Sequence, residues 1–125
     1  MLFFSKLLTF CFIISVVLPY ITPFEMDENI NFGDSVQLSC HVSKGDKPLE
    51  IRWSFHGKES LAQLGITTTK MGDRTSFLTI PSVVAAHNGN YTCIATNAAG
   101  STSHTAAIHV NGIRQNLFLI FFIFS

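Results

Sequence analysis

Charge is scarce in this chain and is balanced between the two signs. Eight Lys and Arg residues stand against eight Asp and Glu residues among 125, and they form no basic run. Proteins bind nucleic acids and anionic membrane surfaces through clustered Lys and Arg. We therefore expect neither as a partner.

The motifs that accompany catalysis are also missing. The sequence contains no Gly-x-Ser-x-Gly, no Gly-x-Gly-x-x-Gly and no His-Glu-x-x-His. An enzyme needs a nucleophile with a base, paired acids or a phosphate-binding loop. The acidic residues fall mostly in segments that we predict as loops and strand edges, where charge is solvated. We expect no enzymatic activity and no cofactor.

Histidine is common enough to raise the question of a metal site. No Cys or His pair has the spacing of zinc ligands. The last two histidines are five residues apart on one predicted strand, so they should face opposite sides. We expect no metal, and solvated or capping roles for His41, His56, His87, His104 and His109.

Only three cysteines occur. Cys11 lies in an apolar N-terminal run and would be lost if that run were cleaved. Cys40 and Cys93 then remain as one pair, which fits a single disulfide in an oxidising compartment.

The two ends of the chain differ from its middle. Lys6 precedes twelve uncharged residues, 7–18, which is the layout of a secretory signal and is short for a membrane span of about 20 residues. No clean small-x-small cleavage pair precedes Ile21, so an uncleaved anchor or a mis-assigned start of the chain stays open. We predict that residues 1–20 are a signal peptide or anchor and that the protein is secreted or at the cell surface.

The C-terminal end carries an apolar run, Leu117–Phe124, that is too short to cross a bilayer. We interpret residues 113–125 as a short apolar tail, either non-native sequence or the start of a truncated span. Any membrane contact would then depend on a missing or truncated span. Residues 21–112 are left as the predicted domain.

Apolar and polar residues alternate with period two in the middle of the chain, and turn residues separate the alternating windows. Such alternation is typical of strands with one face in a core and one in water. About seven strands with turn signals every 8–12 residues predict a two-sheet sandwich. The clearest windows are 35–42, 51–56, 76–80, 91–95 and 106–110.

Four residues sit on these strands at a diagnostic spacing. Cys93 follows Cys40 by 53 positions, Trp53 follows Cys40 by 13, and Tyr91 precedes Cys93 by two. In an immunoglobulin sandwich a Trp packs over the disulfide between the sheets, and the hydroxyl of such a Tyr bonds back to the chain just upstream. With Leu78 as a further core residue, this signature predicts an all-β, immunoglobulin-like (I-set) two-sheet Greek-key sandwich.

Two segments extend this resemblance. Residues 89–100 resemble the last hairpin of I-set domains in cell-adhesion molecules, and residues 38–46 and 51–55 resemble domains of arthropod Down syndrome cell adhesion molecules. The similarity covers about residues 21–111. It implies extracellular recognition on neuronal or immune cells, often homophilic, by receptors that string many such domains together, whereas this chain holds one.

One position departs from the I-set pattern. These domains usually carry an acidic residue four positions before the corner Tyr, paired with a basic residue, and here that position is His87. Arg74 is the expected basic counterpart and should lack a charged partner. An exposed pair of this kind contributes about 0–1 kcal/mol, so we expect the fold to survive its loss.

Two surface features are candidate sites. Asn90-Tyr91-Thr92 is an N-glycosylation sequon, although a sequon within a strand folds quickly and is often skipped. Thr67, Thr68, Thr69 and Lys70 would present hydrogen-bonding groups along an exposed edge, for self-recognition. The same edge also fits one that Lys70 and Arg74 protect against strand pairing.

Three functions remain in competition. The leading hypothesis is an extracellular adhesion module that binds protein, its own kind in particular. The alternative is a secreted immune recognition factor that binds microbial or other non-self ligands. A structural module of an intracellular muscle filament is a third, which the signal-like N-terminus and the disulfide-placed cysteines disfavour.

Overall fold

A computed structural model of the chain describes residues 15–57 and 59–111. Most of the predicted signal or anchor, Cys11 and the predicted apolar tail lie outside the described residues. Within the described ranges, no helix has the length and apolarity needed to cross a membrane.

Short strands are the main regular secondary structure of the described chain, as the period-two windows predict. One 3-10 turn, Ala85–His87, interrupts them at the connector. The strands are β1 Tyr20–Ile21, β2 Ile30–Asn31, β3 Val36–Lys44, β4 Glu50–His56, β5 Thr67–Met71, β6 Thr75–Ile80, β7 Gly89–Asn97, β8 Gly100–Ile108 and β9 Val110–Asn111.

The strands form two main sheets and one small parallel pair. One sheet has the order β1-β3-β6-β5 and the other has the order β4-β7-β8, both with antiparallel neighbours. Strands β2 and β9 pair in parallel. The prediction of an all-β, immunoglobulin-like two-sheet sandwich is confirmed.

The core lies between the two sheets and has two parts. Leu78 and Tyr91, both fully buried, belong to one cluster, with Trp53 and Phe55 packed against it. The second cluster surrounds the two cysteines and includes Val42 and Ala95. Alternate residues of β3 and β7 thus point into the same interior, which is what one apolar face per strand requires.

The chain contacts the sandwich earlier than the predicted start at Ile21. The main chain of Val17 bonds to Asp46 in both directions, and Asn97 Nδ2 donates to the Val17 carbonyl oxygen at 2.7 Å. The hydroxyl of Thr102 donates to the carbonyl oxygen of Pro19 at 3.0 Å. Residues of the predicted signal, 17–20, therefore contact the loop after β3 and strands β7 and β8, and Tyr20 pairs with β3.

The expectation that His104 and His109 share one strand is wrong. Strand β8 ends at Ile108, and the chain then moves to β9, which pairs with β2 on another part of the molecule. His104 lies in β8, where its ring stacks edge-on against Phe24 at 4.4 Å between ring centroids.

We expect that removal of the disulfide destabilises the whole domain. Closing a loop of 53 residues stabilises a folded chain by about 4 kcal/mol in the chain-entropy model, a large part of the roughly 5–15 kcal/mol typical of a domain. Cys40→Ala should lower the free energy of unfolding by that amount or abolish secretion, as judged by urea denaturation and secreted yield. Cys11→Ala is the matched control, and an unchanged midpoint in Cys40→Ala would contradict the expectation.

Candidate functional site

A disulfide joins the middle strands of the two sheets. Cys40 in β3 and Cys93 in β7 are both fully buried, and their Cα atoms lie 6.4 Å apart. This separation is within the range in which a disulfide forms without backbone movement. The predicted pairing of these two cysteines is therefore present.

Trp53 adds a second connection beside the disulfide. It lies opposite Cys93 in the β4–β7 register, and its indole N–H donates to Ser76 Oγ at 3.0 Å. Ser76 lies opposite Cys40 in the β3–β6 register. A covalent bond and a hydrogen bond thus cross the core side by side, and the bond satisfies the only polar group of the indole.

Tyr91 ties β7 to the connector that precedes it. Its hydroxyl donates to the carbonyl oxygen of His87 at 2.8 Å, and its ring packs against Phe55 at 4.7 Å between centroids. The side chain is fully buried, and this burial raises the pKa of Tyr91 to about 12. The neutral phenol is the form that this environment stabilises.

His87 takes part in the same corner through its ring. The backbone N–H of Val84 donates to Nδ1 at 2.9 Å, and Nε2 donates to the carbonyl oxygen of Leu64 at 2.8 Å. The residue is 3% exposed. Both ring nitrogens therefore have backbone partners, and the imidazole joins the connector to the loop before β5 where I-set domains usually have an acid.

Arg74, the expected partner of that acid, binds backbone oxygens instead. Nη1 donates to the carbonyl oxygen of Val42 at 3.1 Å and Nη2 to that of Gly45 at 2.8 Å. The two ion pairs among the described residues are Lys47–Asp73 and Arg52–Glu50, so Arg74 has no charged partner there. The guanidinium instead secures the end of β3.

Strand β5 is the outermost strand of its sheet. It pairs with β6 and has no neighbour on its other side among the described strands. All five of its residues are exposed, and Met71 is 62% exposed. The predicted edge candidates Thr67, Thr68, Thr69 and Lys70 therefore all lie on one accessible strand.

An exposed ion pair lies just beyond the end of β5. Lys47 Nζ donates to Asp73 Oδ2 at 2.9 Å. This hydrogen bond and the charge of Lys47 hold the pKa of Asp73 below its usual range. Because both side chains are mostly exposed, the pair contributes little to stability.

The outer face of the β4-β7-β8 sheet is rich in hydroxyl groups. Asn90 is exposed near one end of this face, opposite His56 of β4 and Ala107 of β8. Two residues along, the hydroxyls of Thr92 and Thr105 lie 2.7 Å apart. The face also carries Arg52, Ser54, Ile94, Thr96, Ser101 and Ser103.

The five histidines do not converge. His104 Nε2 lies 2.8 Å from the carbonyl oxygen of Phe24, His41 Nδ1 lies 2.9 Å from Thr75 Oγ1, and His87 serves the corner. Across residues 15–57 and 59–111, His, Cys, Asp and Glu form no group of three or more that could hold a metal ion.

A comparison with protein-family models decides which family these features represent. The immunoglobulin domain model matches residues 19–97, which contain both cysteines, Trp53 and Tyr91. The chain belongs to the immunoglobulin domain family. The matched segment begins at Pro19, within the stretch that packs ahead of β1.

Relatives of this immunoglobulin domain are found among cell adhesion molecules. Drosophila melanogaster "Cell adhesion molecule Dscam1" is 42% identical over 98 residues, which make up 77% of this chain and 5% of that protein. Rattus norvegicus "Cell adhesion molecule DSCAM" is 40% identical over 74% of this chain and 4% of its own length. The chain thus spans about a twentieth of these relatives.

Solved structures of immunoglobulin domains have the same fold as this chain. The Dscam1 Ig7 domain, isoform 5, matches with a TM-score of 0.69 and 38% identity over 74% of this chain and 96% of that domain. A chimeric titin Z1Z2 structure matches with a TM-score of 0.67 but 28% identity, over 78% of this chain and 98% of that one. The architecture is common to both, and the sequence is nearer to the Dscam domain.

The role of the His87 ring and the contacts of residues 17–19 are not among the features that the sequence predicts. The departure from an acidic residue at position 87 was the available signal, but its partner Leu64 lies 23 residues away. Val17 binds Asn97 across 80 residues. Neither contact follows a local period, so the pattern of the sequence does not reveal it.

We expect alkaline pH to destabilise the domain through Tyr91. The folded pKa of about 12 lies above the value of about 10 in an unfolded chain. The neutral phenol therefore stabilises the fold fully below pH 10, and that stability falls as pH rises from 10 towards 12. Tyr91→Phe should remove this part of the pH dependence, as measured by urea denaturation between pH 8 and 12.

The same substitution tests the corner bond at neutral pH. Without the phenol, the His87 carbonyl loses its donor, which we expect to cost about 1–3 kcal/mol of unfolding free energy. Tyr20→Phe is the matched control because Tyr20 is the only other tyrosine and is 50% exposed. Equal behaviour of the two variants at pH 8 and in the alkaline range would contradict this account of the corner.

Proposed function

We propose that this immunoglobulin domain is an extracellular adhesion module that binds a second copy of itself through strand β5. Two findings support the proposal. The relatives at about 40% identity are named as cell adhesion molecules, and β5 is an exposed strand at the edge of a sheet.

A free edge can recruit another strand. Every second residue of an edge strand directs its N–H and C=O away from the sheet, and a chain that approaches in extended form can bond to them. Strand β5 is five residues long and has the β-branched Thr67, Thr68 and Thr69 in succession. These residues favour the extended conformation that such pairing needs.

The sequence of β5 is compatible with pairing to itself. In a two-fold antiparallel pairing centred on Thr69, Thr69 faces Thr69, Thr68 faces Lys70, and Thr67 faces Met71 of the second copy. The strand's one charge then lies opposite a neutral hydroxyl, so no like charges meet directly. A two-fold contact of this kind closes after two copies and does not propagate into fibres.

Strand β5 is less protected against pairing with another strand than the sequence suggests. Lys70 and Arg74 are both candidates to block strand pairing, but the guanidinium of Arg74 binds the carbonyl oxygens of Val42 and Gly45. Lys70 is then the one basic side chain within β5. One lysine beside three threonines supports an edge that can pair with another strand more than one that is protected against pairing.

The test uses charge at the predicted two-fold axis. The full chain is displayed on cells through an unrelated C-terminal anchor, and cell clustering is counted. Wild type should cluster. Thr69→Lys and Thr69→Glu should each lower clustering at least several-fold, because like charges would face each other, and a mixture of the two should cluster again since Lys then faces Glu.

Controls separate this effect from general charge and from misfolding. Ser103→Lys and Ser103→Glu place the same charges at an exposed position of β8, on the other sheet, and should cluster as wild type does. Restored clustering in the mixture also requires that both Thr69 variants fold. Dispersed wild-type cells, or clustering that is insensitive to charge at position 69, would overturn self-recognition through β5.

A further inference from the structure

The sequon of this chain is placed where its asparagine is accessible in the folded domain but its hydroxyl is not. Asn90 is exposed on the outer face of the β4-β7-β8 sheet. Thr92 is 7% exposed, and its hydroxyl lies 2.7 Å from that of Thr105 in β8. A sugar on Asn90 is compatible with the folded domain. A transferase that must bind the Thr92 hydroxyl, however, cannot reach it once the sheet has formed.

The order in which the strands are synthesised limits the time during which the transferase can bind the sequon. Strand β4, which pairs with β7 on one side, precedes it in the chain, whereas β8 follows it. Cys93 is the residue next to Thr92, and its disulfide to Cys40 is fully buried. Closure of this bond fixes the main chain at the sequon, so glycan transfer has to come first.

We propose that Asn90 is an N-glycosylation site that is used only during folding, with an occupancy set by competition between glycan transfer and closure of the Cys40–Cys93 disulfide. The amide nitrogen of Asn90 forms a bond to C1 of an oligosaccharide carried on a lipid pyrophosphate. The C1–O bond to the pyrophosphate breaks, the lipid pyrophosphate leaves, and the transferase takes up the amide proton.

The attached glycan would cover one side of the sandwich. It would extend from the outer face of the β4-β7-β8 sheet, near His56 and Ala107, and it would leave β5 on the other sheet free. The inference rests on the extracellular part of the proposed function, since glycan transfer occurs in the secretory pathway. It does not require that the domain binds itself.

The experiment measures occupancy under two redox conditions. The full chain, behind an added cleavable secretory leader, is translated with endoplasmic reticulum microsomes, with and without a thiol reductant. The fraction that shifts after treatment with an N-glycan endoglycosidase is measured. We expect partial modification without reductant, an increase of at least two-fold with it, and no shift in Asn90→Gln.

Two further variants make each outcome interpretable. Cys40→Ala prevents the disulfide without changing a residue of the sequon, and it should raise occupancy without reductant to the reduced level. Asn31→Thr completes a second sequon at the exposed Asn29, which reports entry into the microsomes independently of Asn90.

Either of two results would overturn the inference. If Asn29 is modified and Asn90 is unmodified in both redox conditions, Asn90 is not a glycosylation site. If Asn90 is modified to the same extent with and without reductant and in Cys40→Ala, the disulfide does not control its use. Because the added leader supplies entry, neither result bears on cell clustering, which tests the proposed function separately.

Discussion

The rest of this structure depends on the covalent link between β3 and β7. Each of these strands has neighbours on both sides, so a bond between Cys40 and Cys93 fixes the two sheets at their middles. The Trp53–Ser76 hydrogen bond crosses the core next to it. The remaining strands attach outward from this centre by main-chain pairing, which makes the sheet margins the natural place for recognition.

In the sheet that contains β3, the strand that lies furthest from the disulfide is the most exposed to solvent. Strand β3 alternates between buried and exposed residues along much of its length, β6 has three buried residues, and β5, one strand further out, is exposed throughout. Few buried contacts and solvent-exposed backbone bonds are the features of segments that open at low free energy. A buried centre with an exposed edge strand suits a module that pairs with a partner without unfolding.

How much the sequence predicts depends on the range of the contact. Alternation and the spacing of Cys40, Trp53, Tyr91 and Cys93 predict the sandwich and its centre, because strand period and the signature are local or have a fixed spacing. The contact of His87 with the Leu64 carbonyl depends on how a loop folds over the connector. The alternation of apolar and polar residues carries no information about such a contact. For the same reason, the chain before the predicted boundary could not be assigned to the domain.

Amide hydrogen exchange, measured on the full chain at low and at high concentration, tests the central claim most directly. At low concentration, we expect amides of β3 and β7 to be strongly protected and those at the free edge of β5 to exchange fast. At high concentration, residues 67–71 should gain protection while the β4-β7-β8 sheet stays unchanged. A gain on that sheet, or no concentration dependence at β5, would contradict a disulfide-centred sandwich that binds its own kind through β5.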